Sequence, residues 1–316
     1  TMKIRAAVVK KTGRPFEIET LDLDPPREKE VLVKIGAAGI CHSDWHIRTG
    51  GTEHPLPAAV GHEGAGVVET LGEGVTSLRQ GDHVALSWAP GCDSCFYCSD
   101  RRPALCETWK KALRAGTLLD GTTRLSLDGR PVYHYCALAC FAEYAVVPEA
   151  CCVPIDKEVP LEVAALIGCA VTTGLGASMN TVKVEEGASV VIYGMGGVGL
   201  SILAGARLAG AGPLICVDLW EEKLELARSF GATHAFKADE RAHENIIAAT
   251  GQRGADYVFE ATGSTKVQET AFDFVRPGGK LILVGLSATG TETNFPGSVI
   301  TRQEKTILGS YYGSCD

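Results

Sequence analysis

The sequence predicts an α/β protein in which a β-rich domain precedes a doubly wound, six-stranded parallel sheet. Three observations carry that expectation. Short β-like runs separated by glycine turns fill the first half, strand-like and helix-like segments alternate regularly from Ala188 onward, and a glycine-rich hexapeptide stands between the first of those strands and the helix after it. At 316 residues the chain is too long for one ordinary core, so two domains are expected, residues 1–170 and 171–316.

In the first domain, period-two runs bounded by turn residues predict strands over residues 5–9, 31–37, 64–71, 83–88 and 141–147. After Pro160 the pattern changes to a helix-like stretch, residues 161–167. In the second domain, strands are predicted over residues 189–193, 214–217, 234–236, 256–260, 280–284 and 306–310, with helices between them. The helix over 221–230 shows its ends: Glu221 and Glu222 favour the positive N-terminus, and Gly231 stops it.

Composition excludes several classes. With 45% hydrophobic and 22% charged residues the chain reads as globular. A net charge of -8, with thirty scattered Lys and Arg, argues against nucleic acid as a partner. The longest apolar stretch, residues 190–217, is broken by glycines and Arg207, so no membrane span is expected. No cationic, apolar leader follows Thr1, which reads as an addition ahead of Met2, and a cytoplasmic protein is expected.

Twelve cysteines in a reducing compartment point to metal rather than disulfides. Cys92, Cys95, Cys98 and Cys106 pack four thiols into fifteen residues, a spacing that short turns can fold round one ion in a closed, structural zinc site over residues 90–107. Two disulfides among thiols this close would be sterically awkward. Cys136, Cys140, Cys151, Cys152, Cys216 and Cys315 lack ligand-like partners in sequence and are assigned to packing.

The hexapeptide Gly194-Met195-Gly196-Gly197-Val198-Gly199 follows a predicted strand and opens a predicted helix over residues 198–209, the context a dinucleotide loop requires. Gly194 permits the tight turn, Gly196 lets a pyrophosphate reach the backbone, and Gly199 allows the helix to pack closely on the strand. Asp218 ends the next strand, where its carboxylate can accept from both ribose hydroxyls and repels a 2'-phosphate; Leu219 and Trp220 follow it rather than an arginine, so NAD is expected over NADP.

Together with Cys41-His42-Ser43-Asp44-Trp45-His46, Gly61-His62-Glu63-Gly64-Ala65-Gly66 and Gly168-Cys169, these motifs resemble, in order and separation, a zinc-dependent alcohol dehydrogenase of the medium-chain dehydrogenase/reductase family. The resemblance runs from near the N-terminus to the last residue. It implies a GroES-like catalytic domain, a Rossmann NAD-binding domain and two zinc ions per subunit. By the resemblance, Cys41, His62 and Cys169 hold the catalytic zinc. Ser43 and His46 resemble the family's proton relay, Asp44 the carboxylate that orients His62, and Glu63 the acid that assists exchange of the metal's fourth ligand. His42 stands where a basic residue often meets the cofactor pyrophosphate, and Lys223 resembles a second adenosine-ribose contact.

The activity implied is reversible hydride transfer from a primary or aromatic alcohol to NAD, with Trp88 lining the pocket. The long loop carrying Lys110, Lys111 and residues 113–128 is similar to that of the longer-chain members, including the glutathione-dependent formaldehyde dehydrogenases, although Thr52 and Lys110 replace an Asp and an Arg of that subgroup. An S-(hydroxymethyl)glutathione-type enzyme, a zinc-dependent polyol dehydrogenase and a non-catalytic NAD-sensing zinc protein are the alternatives. Residues 294–301 resemble the family's subunit-contact strand, which implies a homodimer or homotetramer. The chain stops at Tyr311-Tyr312-Gly313-Ser314-Cys315-Asp316, so the family's C-terminal return to the catalytic domain is expected to be absent.

Overall fold

The computed structural model describes Thr1–Cys315; Asp316, the last residue assigned above to the nucleotide domain, lies outside the described residues. The chain divides into two compact units, Thr1–Cys169 and Ala170–Cys315.

The first unit contains, in order, β1 (Met2–Val9), β2 (Glu17–Leu23), β3 (Glu30–Gly39), α1 (His42–Thr49), β4 (Ala58–Ala59), β5 (Glu63–Leu71) and β6 (His83–Leu86). Then come α2 (Phe96–Ser99), α3 (Glu107–Ala115), β7 (Leu125–Leu127), β8 (Arg130–His134), β9 (Tyr144–Pro148), β10 (Cys152–Ile155) and α4 (Leu161–Leu166). Strands β1, β2, β7, β8 and β4 close into a barrel, and a second sheet runs β10-β6-β5-β3-β9. Alternation explains the core: Val31 and Val33 of β3 are fully buried with Ala65 and Val68 of β5 and Val84 and Leu86 of β6. Burying each such Val or Leu contributes roughly 1.5–3 kcal/mol.

Arg124, just before β7, ties the barrel to the second sheet. Its guanidinium donates to both oxygens of Glu30 at the start of β3 and, at 2.6 Å, to Asp120, and its backbone N–H donates to His134 Nε2 at 3.1 Å.

The second unit contains α5 (Thr172–Gly176), β11 (Val190–Tyr193), α6 (Gly197–Leu208), β12 (Leu214–Asp218), α7 (Glu221–Ser229) and β13 (His234–Lys237). It continues with α8 (Ala242–Ala249), β14 (Ala255–Glu260), α9 (Thr265–Asp273), β15 (Val275–Leu283), α10 (Gly297–Gln303) and β16 (Thr306–Gly309). The six strands form one sheet, parallel throughout, in the order β13-β12-β11-β14-β15-β16. Helices cover both faces, which is why the strands read as nearly continuous apolar runs. Val190 and Ile192 pack with Ile202, Leu203 and Ala206 of α6 on one face, whereas Val191 and Tyr193 pack with Ile246, Ala271 and Phe272 on the other. The predicted α/β class with a six-stranded parallel Rossmann-type sheet is therefore observed.

Three expectations are corrected. Residues 294–301 are not a strand: α10 starts at Gly297, where Val299 and Ile300 donate to the Pro296 carbonyl at 3.0 and 3.1 Å. Proline sets an extended residue just ahead of a helix start, and those two side chains bury helically against the sheet. The supposed long loop over 113–128 begins inside α3, whose Trp109 and Ala112 are buried one turn apart and which ends at Gly116 with φ 64°; β7 follows.

The third correction concerns apolar length. Among the described residues, Leu161–Thr181 is helical for 21 residues with a mean hydropathy of 1.5, long and apolar enough to cross a membrane by length and composition alone. Its composition has a packing cause. In the first unit Ala164 and Ala165 of α4 bury against Ala65, and in the second the Ser201 side chain and the Val198 carbonyl leave no room for a Cβ on Gly174 of α5.

Candidate functional site

The four-cysteine lobe is folded by short turns. Cys95 caps α2, Cys106 caps α3, and the Trp109 indole donates to Gly91 O at 3.2 Å, pinning the lobe to the buried side of α3. All four sulfurs lie within 4.8 Å of one another. Neighbouring pairs stand at 4.0 Å (Cys92–Cys98), 3.6 Å (Cys95–Cys98) and 3.8 Å (Cys95–Cys106). A tetrahedron with zinc–sulfur bonds of about 2.3 Å needs sulfurs about 3.8 Å apart, so the donor set fits one zinc with no position left for substrate.

A second cluster joins Cys41, His62, Glu63 and Cys169, whose donor atoms likewise lie within 4.8 Å of one another. Cys41 is the N-cap of α1, His62 and Glu63 stand at the start of β5, and Cys169 sits in a π-helical turn, Ile167–Val171, that continues α4. Close backbone approaches set this placement. A Cβ on Gly61 would stand 2.4 Å from the Phe141 nitrogen, and one on Gly168 2.1 Å from the Leu86 carbonyl oxygen. Two thiols, an imidazole and a carboxylate oxygen of Glu63 suit a zinc whose fourth ligand is exchangeable.

Asp44, buried in the first turn of α1, organises three parts of this cluster. Its Oδ1 accepts from Gly61 N–H at 2.9 Å and from His62 Nδ1 at 3.2 Å, and its Oδ2 accepts from Cys41 N–H at 3.2 Å. With Nδ1 so engaged, the His62 lone pair is left on Nε2.

The charges here are coupled. A hydrogen bond from Cys169 holds the Cys41 thiol at about 3, against its burial and with help from His62. The same bond, with burial, drives Cys169 far upward. Burial opposes a charge on His62, but the Asp44 and Cys41 hydrogen bonds outweigh it and push its pKa up to about 10. Burial, then the Cys41 charge, raises Glu63 to about 7. A bound dication would reverse this order, making both sulfurs thiolates and the imidazole neutral.

Two aromatic rings stand edge-on to His62: Trp88 at 6.4 Å and Tyr135 at 5.3 Å between centroids. Tyr135 was not anticipated, because it follows β8 in a segment without a motif, where Cys136, Ala137 and Ala139 all take positive φ. His42 and His46 share one face of α1, their rings T-shaped at 4.9 Å, and His46 Nδ1 is buried without a hydrogen-bond partner. Burial, then the His42 charge, lowers the His46 pKa and favours its neutral form. Ser43 N–H bonds the Cys41 sulfur from the same turn. Thr52 N–H donates to His46 O at 3.3 Å in the loop after α1, and Lys110 is exposed on α3.

In the second unit the glycine loop has the shape a pyrophosphate needs. Gly194 takes φ 91°, a Cβ on Gly199 would stand 1.8 Å from the Gly194 oxygen, and nothing lies within 4 Å of a Cβ on Gly196. The backbone is thus compact beneath and open above, at the N-terminus of α6, where Val198 lies in the first turn. Asp218 Oδ2 accepts from Met195 N–H at 2.7 Å and Oδ1 from Trp220 N–H at 3.1 Å, so the carboxylate also holds the loop; Lys223 Nζ stands 3.9 Å away. Lone pairs remain on both oxygens for ribose hydroxyls.

Comparison with known proteins shows the family. Residues 27–157 match the alcohol dehydrogenase GroES-like domain, and residues 197–316 the zinc-binding dehydrogenase family. An S-(hydroxymethyl)glutathione dehydrogenase of Escherichia coli is 40% identical over 295 residues, covering 92% of this chain and 80% of that protein. The crystal structure of benzyl alcohol dehydrogenase from Acinetobacter calcoaceticus superposes with a TM-score of 0.92 at 36% identity, over 100% of this chain and 86% of that one. An alcohol dehydrogenase zinc-binding domain protein from Burkholderia ambifaria also reaches 0.92, at 37% identity, over 99% and 85%. With its thiol–imidazole cluster, four-cysteine lobe and glycine loop accounted for, the chain belongs to the zinc-dependent medium-chain alcohol dehydrogenases, oxidoreductases that act on alcohols.

Proposed function

We propose that the protein oxidises a primary or aromatic alcohol to the aldehyde with NAD, reversibly, at Cys41, His62 and Cys169. The observation that carries this reading is the convergence of those three side chains, with Asp44 behind His62, on one point beside Trp88 and Tyr135.

Zinc held there supplies a Lewis acid that lowers the alcohol's pKa, and NAD supplies the hydride acceptor. The chain's own residues do the rest. Asp44 fixes the His62 tautomer, and Glu63 supplies a carboxylate that helps ligands exchange. The Ser43 hydroxyl would pass on the alcohol proton and neutral His46 would receive it at Nδ1. His42 offers a hydrogen-bond donor to the cofactor pyrophosphate; Asp218 and Lys223 bind its ribose and set the preference for NAD over NADP. Trp88 and Tyr135 present ring edges to a flat or unbranched substrate. We include in the proposal two zinc ions per subunit and a homodimer or homotetramer, since β16 is an edge strand open to a second copy. Light scattering that found only a monomer would remove that last part.

The identity with S-(hydroxymethyl)glutathione dehydrogenases favours a second reading, a thiol-adduct substrate. Comparing kcat/KM for benzyl alcohol, ethanol and S-(hydroxymethyl)glutathione separates the two: the first reading requires benzyl alcohol or ethanol to be preferred, and a dominant glutathione adduct would replace it.

A further inference from the structure

Glu260, the last residue of β14, is 0% exposed. It pairs in register with Tyr193, the last residue of β11, and the sheet's connections reverse direction between those two strands. In open α/β sheets that reversal, at the carboxyl ends of the strands, is where a dinucleotide lies.

Every group around the Glu260 carboxylate is a donor. Oε1 accepts from Thr262 N–H at 2.6 Å, from the Thr262 hydroxyl and from Gly263 N–H at 3.0 Å; Oε2 accepts from Gln268 Nε2 at 3.3 Å. The Thr262 hydroxyl in turn accepts from Ser264 N–H at 3.1 Å, which directs its proton to Glu260. Four donors and no acceptor describe an ionised carboxylate. Among the described residues no lysine, arginine or histidine forms an ion pair with it, unlike buried Glu30, which is paired with Arg124. Among the described residues its hydrogen-bond partners are all neutral groups.

The turn it holds is part of the crevice floor. A Cβ on Gly194 would stand 2.7 Å from Thr262 Cγ2, so the Glu260-anchored turn lies directly against the first glycine of the dinucleotide loop. The Glu260 carbonyl accepts from Val284 and Gly285 N–H, each at 2.9 Å, and Gln268 also bonds Ser287 and Thr293. The Glu260 carboxylate therefore orders the turn after β14 directly, while its backbone carbonyl and Gln268 tie in the segment after β15.

A turn cap alone could be neutral, and an uncompensated charge has a further consequence. Oxidised nicotinamide carries a positive charge and reduced nicotinamide carries none, while the rest of the dinucleotide is the same. We propose that Glu260 is a positioning residue of the dinucleotide crevice whose unpaired charge favours NAD+ over NADH, the form alcohol oxidation consumes. The inference rests on reading residues 194–199 as an NAD loop. For unit charges on the order of 10 Å apart at an effective dielectric of about 20, the preference amounts to about tenfold.

The test is the ratio of the two dissociation constants, by NADH fluorescence titration and calorimetry with NAD+ on the full chain. Glu260→Gln should raise Kd(NAD+)/Kd(NADH) about tenfold, whereas Thr262→Val, which disturbs the turn and keeps the charge, should move both constants together. If Glu260→Gln does not fold, Gln268→Lys decides, because it sets a cation beside the intact carboxylate and should raise the ratio in the same direction. An unchanged ratio in either folded variant overturns the inference and leaves Glu260 a turn cap. Wild-type protein that binds neither dinucleotide would instead overturn the NAD reading itself, and the inference with it.

Discussion

The Asp44 carboxylate holds the His62 ring from behind: Oδ1 accepts from Nδ1 at 3.2 Å, with both side chains almost wholly buried. The same carboxylate takes the backbone N–H groups of Gly61 and Cys41, so it ties the segments carrying two candidate ligands. Asp44→Asn must turn an NH2 group toward one of these donors. We expect zinc affinity at the Cys41 site to fall about 10–100-fold, read by competition with a chromophoric chelator. Unchanged affinity would show that the contact does not orient His62.

The four-cysteine lobe predicts a stability effect without a chemical one. Cys98→Ser removes one of four sulfurs that stand 3.6–4.0 Å apart in neighbouring pairs. A closed zinc site contributes folding free energy directly, so one zinc per chain should be lost and Tm should fall by roughly 10 °C. Differential scanning calorimetry with metal analysis checks this; a variant with unchanged Tm contradicts the assignment.

Cofactor choice should follow Asp218. Its carboxylate caps the glycine loop at Met195 and faces Lys223, the only candidate cation beside it in the ion pairs described. Asp218→Ser should lower kcat/KM for NAD by at least about tenfold and raise that for NADP, because the repulsion of a 2'-phosphate is removed. Steady-state kinetics with both cofactors reads the switch, and an unaltered preference would place the discrimination elsewhere.

His134 makes stability depend on pH. Burial, then the Arg124 charge, pushes its pKa down to about 3, whereas in the unfolded chain it titrates near its ordinary value of 6.5. Between those values only the unfolded chain binds the proton. The contribution is complete above about pH 6.5 and is lost as pH falls toward 3, by up to roughly 5 kcal/mol. His134→Gln should flatten urea-unfolding free energy across that window; an unchanged slope would assign the acid sensitivity to other groups.

Much of this architecture is legible in the residues, and the failures have physical causes. The six parallel strands are visible because strands buried on both faces are apolar throughout, and the glycines at 194 and 199 because turn geometry demands them. Residues 294–301 mislead because resemblance to a strand takes no account of the proline-led start that folds Val299 and Ile300 as helix. Residues 113–128 look like loop because α3 buries only Trp109 and Ala112 beneath a charged surface. Leu161–Thr181 escapes notice because its glycines, threonines and Cys169 interrupt an otherwise apolar run. In the site, motif spacing points to Cys41, His62 and Cys169, but Tyr135 and Glu260 are placed by tertiary neighbours that no local pattern marks.

The central claim is that Cys41, with His62 and Cys169, forms the chemical site while the four-cysteine lobe is structural. Zinc content and alcohol-dependent NADH formation, measured together on wild type and Cys41→Ala, test it most directly. We predict two zinc ions per chain in wild type and one in the variant, which should retain NADH binding and lose turnover by at least about a thousandfold. A Cys41→Ala protein that keeps two zinc ions and full activity would contradict the account.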